Sequence, residues 1–130
     1  MVSIFTKIIN GEIPCFKLSE DDRFLSFLDI RPIAKGHALV IPKQEIDYIF
    51  DLDNNLLGDM MCFSKSVAKA IETVIPCKRI GVMVAGLEVA HAHIHLVPIQ
   101  SIKDLSFAHA KPGNMDELKT IADQIVAVMK

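Results

Sequence analysis

The sequence is poor in cysteine and has no long apolar run, and both absences narrow the class of protein. The three cysteines, Cys15, Cys62 and Cys77, are an odd number with no two close together. They form neither a disulfide framework nor a Cys-x-x-Cys metal site, and they indicate a reducing compartment. No apolar run approaches the roughly 20 residues of a membrane span, and the first residues lack the pattern of a signal peptide. We therefore expect a cytoplasmic protein with no membrane partner.

The sequence also has neither an excess nor a run of charge of one sign. The chain has 14 basic and 16 acidic residues, and its net charge is −2. This balance argues against a nucleic-acid partner or a polybasic membrane patch. The hydrophobic content of 51% instead favours a globule with an apolar surface buried in an oligomer. Because we find no repeat and no linker, we expect residues 1–130 to form a single domain.

Short apolar segments separated by turn residues predict an α+β fold. We expect strands over residues 15–19, 23–28, 37–41, 79–85 and 91–99. A short helix follows Ser3, and a long amphipathic helix begins at Asp53 or Asn54 and ends before Pro76. A last helix over residues 115–129 is capped by Asn114. The strands occur as pairs, and residues 86–88 make a tight connection between the last two, so we expect an antiparallel sheet.

Three of the five histidines occur together, in the segment His91-Ala92-His93-Ile94-His95-Leu96-Val97-Pro98. As a strand, this segment places the three imidazoles on one face, with neighbours about 6–7 Å apart. Burying three imidazoles costs desolvation unless each has a partner. Imidazoles act as bases, acids and nucleophiles, so the row indicates a site with chemistry.

The row is compatible with two kinds of chemistry. His-x-His on a strand can bind zinc, but the outer two histidines are about 13 Å apart, so all three cannot share one ion. Two of them with a remote carboxylate or His37 remain a possible metal site. Alternatively, a neutral imidazole can attack phosphorus while its neighbours hold phosphate oxygens.

The histidine segment resembles the His-φ-His-φ-His-φ-φ signature of the histidine triad (HIT) superfamily. Three more segments, over residues 4–14, 24–32 and 36–43, resemble the family in the same order along the chain. The resemblance is to the Hint-like and Fhit-like branches. It implies an α+β fold with about five antiparallel strands, one long helix and short N- and C-terminal helices, in a two-fold homodimer.

The resemblance also implies a function, that of a nucleotide hydrolase or nucleotidyl transferase acting on nucleoside phosphoramidates or dinucleoside polyphosphates. His93 would attack the α-phosphate and form a covalent nucleotidyl-histidine. His91 and His95 would bind phosphate oxygens and assist the leaving group. No cofactor is implied.

Four further residues are assigned to substrate binding by the resemblance. Asp29 aligns with the acid that holds the ribose hydroxyls, and Phe27 and Ile30 would pack on the base. His37 would support the triad through a hydrogen bond. From the residues alone, Phe27 is equally compatible with strand core and His37 with a buried structural histidine. For Asp29 a turn residue is the alternative.

The chain departs from the family pattern at two places. Bacterial relatives carry a zinc site with Cys-x-x-Cys near the N-terminus, where this chain has Ser3 and Thr6, and with a histidine where it has residues 44–46. We therefore expect no metal. The second departure is Gly86-Leu87-Glu88, where relatives have a glutamine that contacts phosphate. Backbone N–H groups would have to replace it, so a non-catalytic nucleotide-binding or interaction module is the alternative function.

Overall fold

The computed structural model describes residues 2–129 as a five-stranded antiparallel sheet with three α-helices. The elements in chain order are α1 (Ile4–Ile9), β1 (Lys17–Glu20), β2 (Phe24–Leu28), β3 (Ala38–Pro42), α2 (Asn54–Val74), β4 (Arg79–Met83), β5 (Ile94–Ile99) and α3 (Met115–Val128). The strands lie in the order β1-β2-β3-β5-β4. The predicted α+β class and antiparallel sheet are confirmed.

One face of the sheet is covered by the two longer helices. Alternate residues of β3 and β5, including Val40 and Ile94, are fully buried on this side with Met60 and Val67 of α2. The cap of α2 is the predicted Asp53, whose side chain accepts a hydrogen bond from the Leu56 backbone N–H. The predicted Asn114 cap of α3 is also confirmed.

The other face of the sheet is only partly covered. Phe5 of α1 packs there on Phe27, Leu39 and other apolar residues of β2 and β3. His95 of β5 is the register partner of Leu39, and directly opposed residues of an antiparallel pair point to the same side. Because α1 has six residues, it leaves part of this face open beside His95.

The connection between β4 and β5 differs from the prediction. The two strands do form an antiparallel hairpin, but β5 begins at Ile94, and residues 84–93 connect the strands instead of a tight turn. The reason is that this segment bonds elsewhere: the Ala92 N–H donates to the carbonyl of Ile46. Residues 91–93 were predicted to belong to the strand, and they instead contact the segment that follows β3.

Among residues 2–129, the structure has no helix that is both long enough and apolar enough to cross a membrane.

Candidate functional site

A pocket of about 340 Å³ opens on the partly covered face of the sheet. Most of the residues predicted to form the site line it, and they come from β2, the turn after it, the 84–93 connection and β5. These residues are Phe27, Asp29, Ile30, Gly86, Leu87, Glu88, His93 and His95. The predicted residues His37 and His91 lie behind the pocket wall, where both are buried.

The geometry around His93 fixes its tautomer. Its Nδ1 lies 2.7 Å from the backbone carbonyl oxygen of His91. A carbonyl oxygen only accepts hydrogen bonds, so Nδ1 carries the proton and donates it. Nε2 is therefore left with a free lone pair, which is the form of imidazole that attacks phosphorus. The rings of Phe5 and His95 hold the His93 ring edge-on, at centroid distances of 5.1 and 4.9 Å.

His95 is held by a hydrogen bond from His37. The Ile33 backbone N–H donates to Nδ1 of His37, so the proton of His37 is on Nε2, which donates to Nδ1 of His95 over 3.0 Å. Neutral His95 then carries its own proton on Nε2. Burial lowers the pKa of His37 to about 4. Burial, with His37 and His93 nearby, lowers that of His95 to about 3.

Both ring nitrogens of His91 are engaged by the protein. Nε2 donates to the carbonyl of Pro42, and Nδ1 accepts from the Ser3 hydroxyl, each over 2.7 Å. The side chain is fully buried, and burial lowers its pKa. In this arrangement His91 presents no free nitrogen to the pocket, and its backbone carbonyl is the group that touches His93.

Asp29 lies at the end of β2, where the Asp29 backbone N–H donates to the carbonyl of His37. Its Oδ1 accepts from the Arg31 N–H, and its Oδ2 lies 3.7 Å from His37 Nε2. The carboxyl is 21% exposed, and burial raises its pKa. A carboxylate at a pocket wall can accept hydrogen bonds from two neighbouring hydroxyls.

One metal-compatible set of donors is present in the described residues near the pocket. One ligand atom each of Asp29, His37 and His95 lie within 4.8 Å of one another. Imidazole and carboxylate are typical zinc ligands, but the facing nitrogens of the two histidines are joined by a hydrogen bond. The expected absence of a metal stays a prediction, and one tightly bound zinc per chain would contradict it.

The positions that resemble the zinc ligands of bacterial relatives also meet in space. Ser3 lies against the His91 ring, and Glu45 accepts hydrogen bonds from Ser3 and Thr6. Zinc sites in proteins use thiolate, imidazole and carboxylate ligands, and this set replaces the two thiolates by hydroxyls. The residues at this place therefore do not fit a structural zinc ion.

Phe107 is a wall of the pocket that the sequence did not indicate. Its ring packs edge-on against His95, with a centroid distance of 5.0 Å. It lies in a single 3-10 turn, Phe107–His109, between β5 and α3, where no periodicity or motif marks it.

Leu87, another residue of the pocket lining, is 93% exposed. Its neighbour Gly86 has a φ of +76°, in the left-handed region that favours glycine.

Comparison with known proteins identifies related chains. A family model described as "HIT domain" matches residues 10–102. The chain is 42% identical to an adenosine 5'-monophosphoramidase of Schizosaccharomyces pombe, over 100% of both chains. It is 34% identical to an adenylylsulfatase of Arabidopsis thaliana, over 98% of this chain and 67% of that one.

The fold has a close counterpart among solved structures. The crystal structure of a HIT-like protein from Bartonella henselae, described as involved in cell-cycle regulation, superposes with a TM-score of 0.85. The two chains are 31% identical, and the match covers 96% of this chain and 94% of that one.

Proposed function

Since this chain belongs to the HIT domain family, we propose that it cleaves nucleotides at the α-phosphate through a covalent intermediate on His93. The enzyme class is that of a HIT-type hydrolase acting on nucleotides, because relatives along almost the whole chain are an adenosine 5'-monophosphoramidase and an adenylylsulfatase. We infer a nucleoside phosphoramidate or a dinucleoside polyphosphate as the substrate.

The observation that carries the proposal is the hydrogen bond from His93 Nδ1 to the His91 carbonyl. It leaves a lone pair on Nε2 of a residue that lines the pocket. In the first step this lone pair forms a bond to the α-phosphorus, and the bond from phosphorus to the leaving group breaks. The leaving group departs with that electron pair. When the phosphoramidate nitrogen is already protonated, the P–N bond breaks to release a neutral amine, and the nucleotidyl group stays on His93 without an acid from the protein.

In the second step, water attacks the phosphorus of the nucleotidyl-histidine. The bond between phosphorus and Nε2 breaks, its electron pair returns to the imidazole, and a proton of the water is released to solvent. The product is a nucleoside monophosphate.

His95 acts in both steps as a hydrogen-bond donor. Because its pKa is lowered to about 3, it is neutral near pH 7, and its Nε2–H is a donor fixed by the bond from His37. We assign it to a non-bridging phosphate oxygen, where fixed donors stabilise developing charge.

The nucleoside is assigned to the other walls of the pocket. The Asp29 carboxylate would accept from the two ribose hydroxyls, and Phe27 and Ile30 would contact the base. The backbone N–H groups of residues 86–88 would face the phosphate, since Leu87 itself has no polar group. The pocket volume of about 340 Å³ is at the lower end of the range for small-molecule sites.

Hydrolysis of adenosine 5'-phosphoramidate, followed by phosphorus NMR, tests the proposal. We expect turnover by the wild-type chain, loss of roughly 10³-fold or more in the His93→Gly variant, and no change on addition of a chelator. Unchanged activity in His93→Gly would contradict the role of His93. Binding of adenosine monophosphate without turnover of any phosphoramidate or dinucleoside polyphosphate would instead support the non-catalytic module.

We also propose that the chain forms a homodimer. In the described sheet β4 is an edge strand, and apolar side chains near it are exposed: Val82, Val84, Met61, Tyr48 and Phe50. Exposed edge strands and apolar patches are typical of subunit interfaces. Light scattering at micromolar concentration should give twice the mass of one chain, and the mass of a single chain would contradict the dimer.

A further inference from the structure

A cluster of hydrogen bonds joins α1 to the segment after β3, away from the pocket. Glu45 Oε1 accepts from the backbone N–H of Ser3 over 2.7 Å and from the Thr6 hydroxyl over 2.6 Å. Ser3 Oγ accepts from the Thr6 backbone N–H and lies 2.7 Å from Nδ1 of His91. The pairs are separated by up to 88 residues along the chain, so the cluster is a tertiary contact.

The direction of each hydrogen bond around His91 follows from the partners that can only accept. The Pro42 carbonyl can only accept, so Nε2 of His91 carries the proton. Nδ1 is then an acceptor, and the Ser3 hydroxyl must donate its proton to it. The carboxylate of Glu45 likewise only accepts, so the Thr6 hydroxyl donates to it. The His91 ring is thus held at both nitrogens in one orientation.

This orientation matters at His93, two residues along the chain. The backbone carbonyl of His91 is the acceptor that keeps the proton on Nδ1 of His93. The position of that carbonyl depends on where the His91 ring is anchored. A ring that is hydrogen-bonded at both nitrogens restricts the backbone of its own residue. Phe5 of α1 adds to this, since its ring contacts the rings of both His91 and His93.

We propose that Ser3, Thr6 and Glu45 are positioning residues of the reaction, which act through His91 to hold the nucleophile His93 in its reactive tautomer. The proposal rests on the proposed function, because it assigns these residues to the same nucleophile. Ser3, Thr6 and Glu45 are not among the residues that line the pocket. Their contribution is to fix the position of the His91 backbone carbonyl oxygen.

The hydrogen-bonded cluster also stabilises α1. A helix of six residues is not stable in isolation. Phe5 packs α1 on the sheet, and Glu45 joins it to the segment after β3. The two bonds to Glu45 hold the first turn of α1, where Ser3 also caps the helix. Loss of the carboxylate would therefore release the Ser3 hydroxyl from its place beside His91.

Two pairs of variants test the proposal. Ser3→Ala removes the donor to His91 and also the cap of α1, and Asp53→Ala is its matched control because it removes the cap of α2 without touching His91. Glu45→Ala removes both acceptor contacts, and Glu45→Gln keeps an oxygen that accepts both. Each variant is assayed on adenosine 5'-phosphoramidate well below its unfolding temperature.

We expect kcat to fall about tenfold in Ser3→Ala and Glu45→Ala, while the Kd for adenosine monophosphate changes less than twofold. We expect Glu45→Gln and Asp53→Ala to stay within threefold of the wild type. Nitrogen-15 NMR of labelled histidine should show His93 protonated on Nδ1 in the wild type, and a mixture of tautomers in Ser3→Ala and Glu45→Ala.

An equal fall of kcat in Asp53→Ala would overturn the proposal, because a general loss of stability would then explain the effect. A single, unchanged His93 tautomer in both Ser3→Ala and Glu45→Ala would overturn it as well. The tautomer is read without a substrate, so the positioning claim is tested even if the chain turns over no nucleotide. Failure of the proposed function would show separately, in the wild-type assay.

Discussion

His37 Nε2 lies 3.0 Å from His95 Nδ1, and this contact decides which nitrogen of His95 carries its proton. The Ile33 backbone N–H sets the tautomer of His37, so the order of donors runs from the main chain through two buried imidazoles to the pocket. The Ile33 N–H, which can only donate, thus determines which nitrogen of His95 carries the proton at the pocket.

Replacing His37 by phenylalanine should remove this control. In His37→Phe, Nδ1 of His95 loses its donor, and the ring is free to place its proton there and to present an acceptor to the phosphate. We expect kcat to fall about tenfold or more, measured on adenosine 5'-phosphoramidate. His109→Phe is the matched control, because His109 is exposed and its ring hydrogen-bonds to the carbonyl of Lys103, not to His95. A fall of equal size in both variants would contradict the assignment.

Protein stability should decrease in mild acid because of the same pair. Burial lowers the pKa of folded His37 from 6.5 to about 4, so between these values the unfolded chain binds more protons than the folded one. The stabilisation is complete above pH 6.5 and is lost as the pH falls toward 4. For His37 alone the loss from pH 7.5 to 5 is about 2 kcal/mol, and His95 acts in the same direction.

Urea unfolding at pH 7.5 and pH 5 measures this difference. The free energy of unfolding should be lower at pH 5 in the wild type, and the gap should shrink in His37→Phe. Equal stability of the wild type at both pH values would show that the two histidines are not held neutral in the folded chain.

Asp29 should show a conflict between stability and binding. Burial raises the pKa of its carboxyl, so the folded state disfavours the charged form, and the charge costs stability at pH 7. In Asp29→Asn we therefore expect a higher Tm at pH 7. We also expect adenosine monophosphate to bind roughly 10–100-fold more weakly, because two hydrogen bonds to a charged acceptor are weakened.

The control for Asp29 is a change in the ligand. Adenosine monophosphate without its 2'- and 3'-hydroxyls should bind the wild type and Asp29→Asn with equal affinity, measured by calorimetry. A loss of the same size for the deoxygenated ligand would mean that the substitution acts on the pocket as a whole.

Leu87 offers a gain of function. It is 93% exposed at the rim of the pocket, at the position where the resemblance to the family implies a glutamine. Leu87→Gln adds a donor toward the phosphate, and we expect kcat/KM to rise by a factor of about 3–10, the effect of one exposed hydrogen bond. Leu87→Met is the matched control, because it has a similar volume and no donor. An equal rise in Leu87→Met would exclude the hydrogen bond as the cause.

The parts of the fold that follow local patterns were predictable from the sequence. Strands β1–β5 and helices α2 and α3 occur at the expected segments, because their period and caps are encoded by neighbouring residues such as Asp53 and Asn114. Part of the pocket lining, including Asp29 and His93, was also predicted, since the resemblance to the family fixes the order of its segments. A resemblance that spans the chain carries tertiary information that periodicity alone does not.

The features that were not predicted depend on contacts between residues that are distant in the sequence. His91 is separated from its hydrogen-bond partners Pro42 and Ser3 by 49 and 88 positions, and no local pattern predicts these bonds. The bond from the Ala92 N–H to Ile46, which accompanies the late start of β5 at Ile94, is equally non-local. The contact of Phe107 with His95 is of the same kind. The role of Glu45 was also hidden, because a single acid in a connecting segment is usually solvated.

The central claim is that the substrate becomes covalently attached to His93, and the most direct test is to isolate that attachment. The wild-type chain is mixed with excess adenosine 5'-phosphoramidate, quenched within the first turnover and analysed by mass spectrometry of intact protein and peptides. We predict a mass gain of one adenylyl group that maps to His93 and is absent in His93→Gly. An adenylyl group on another residue, or turnover with no adduct at any quench time, would contradict the account.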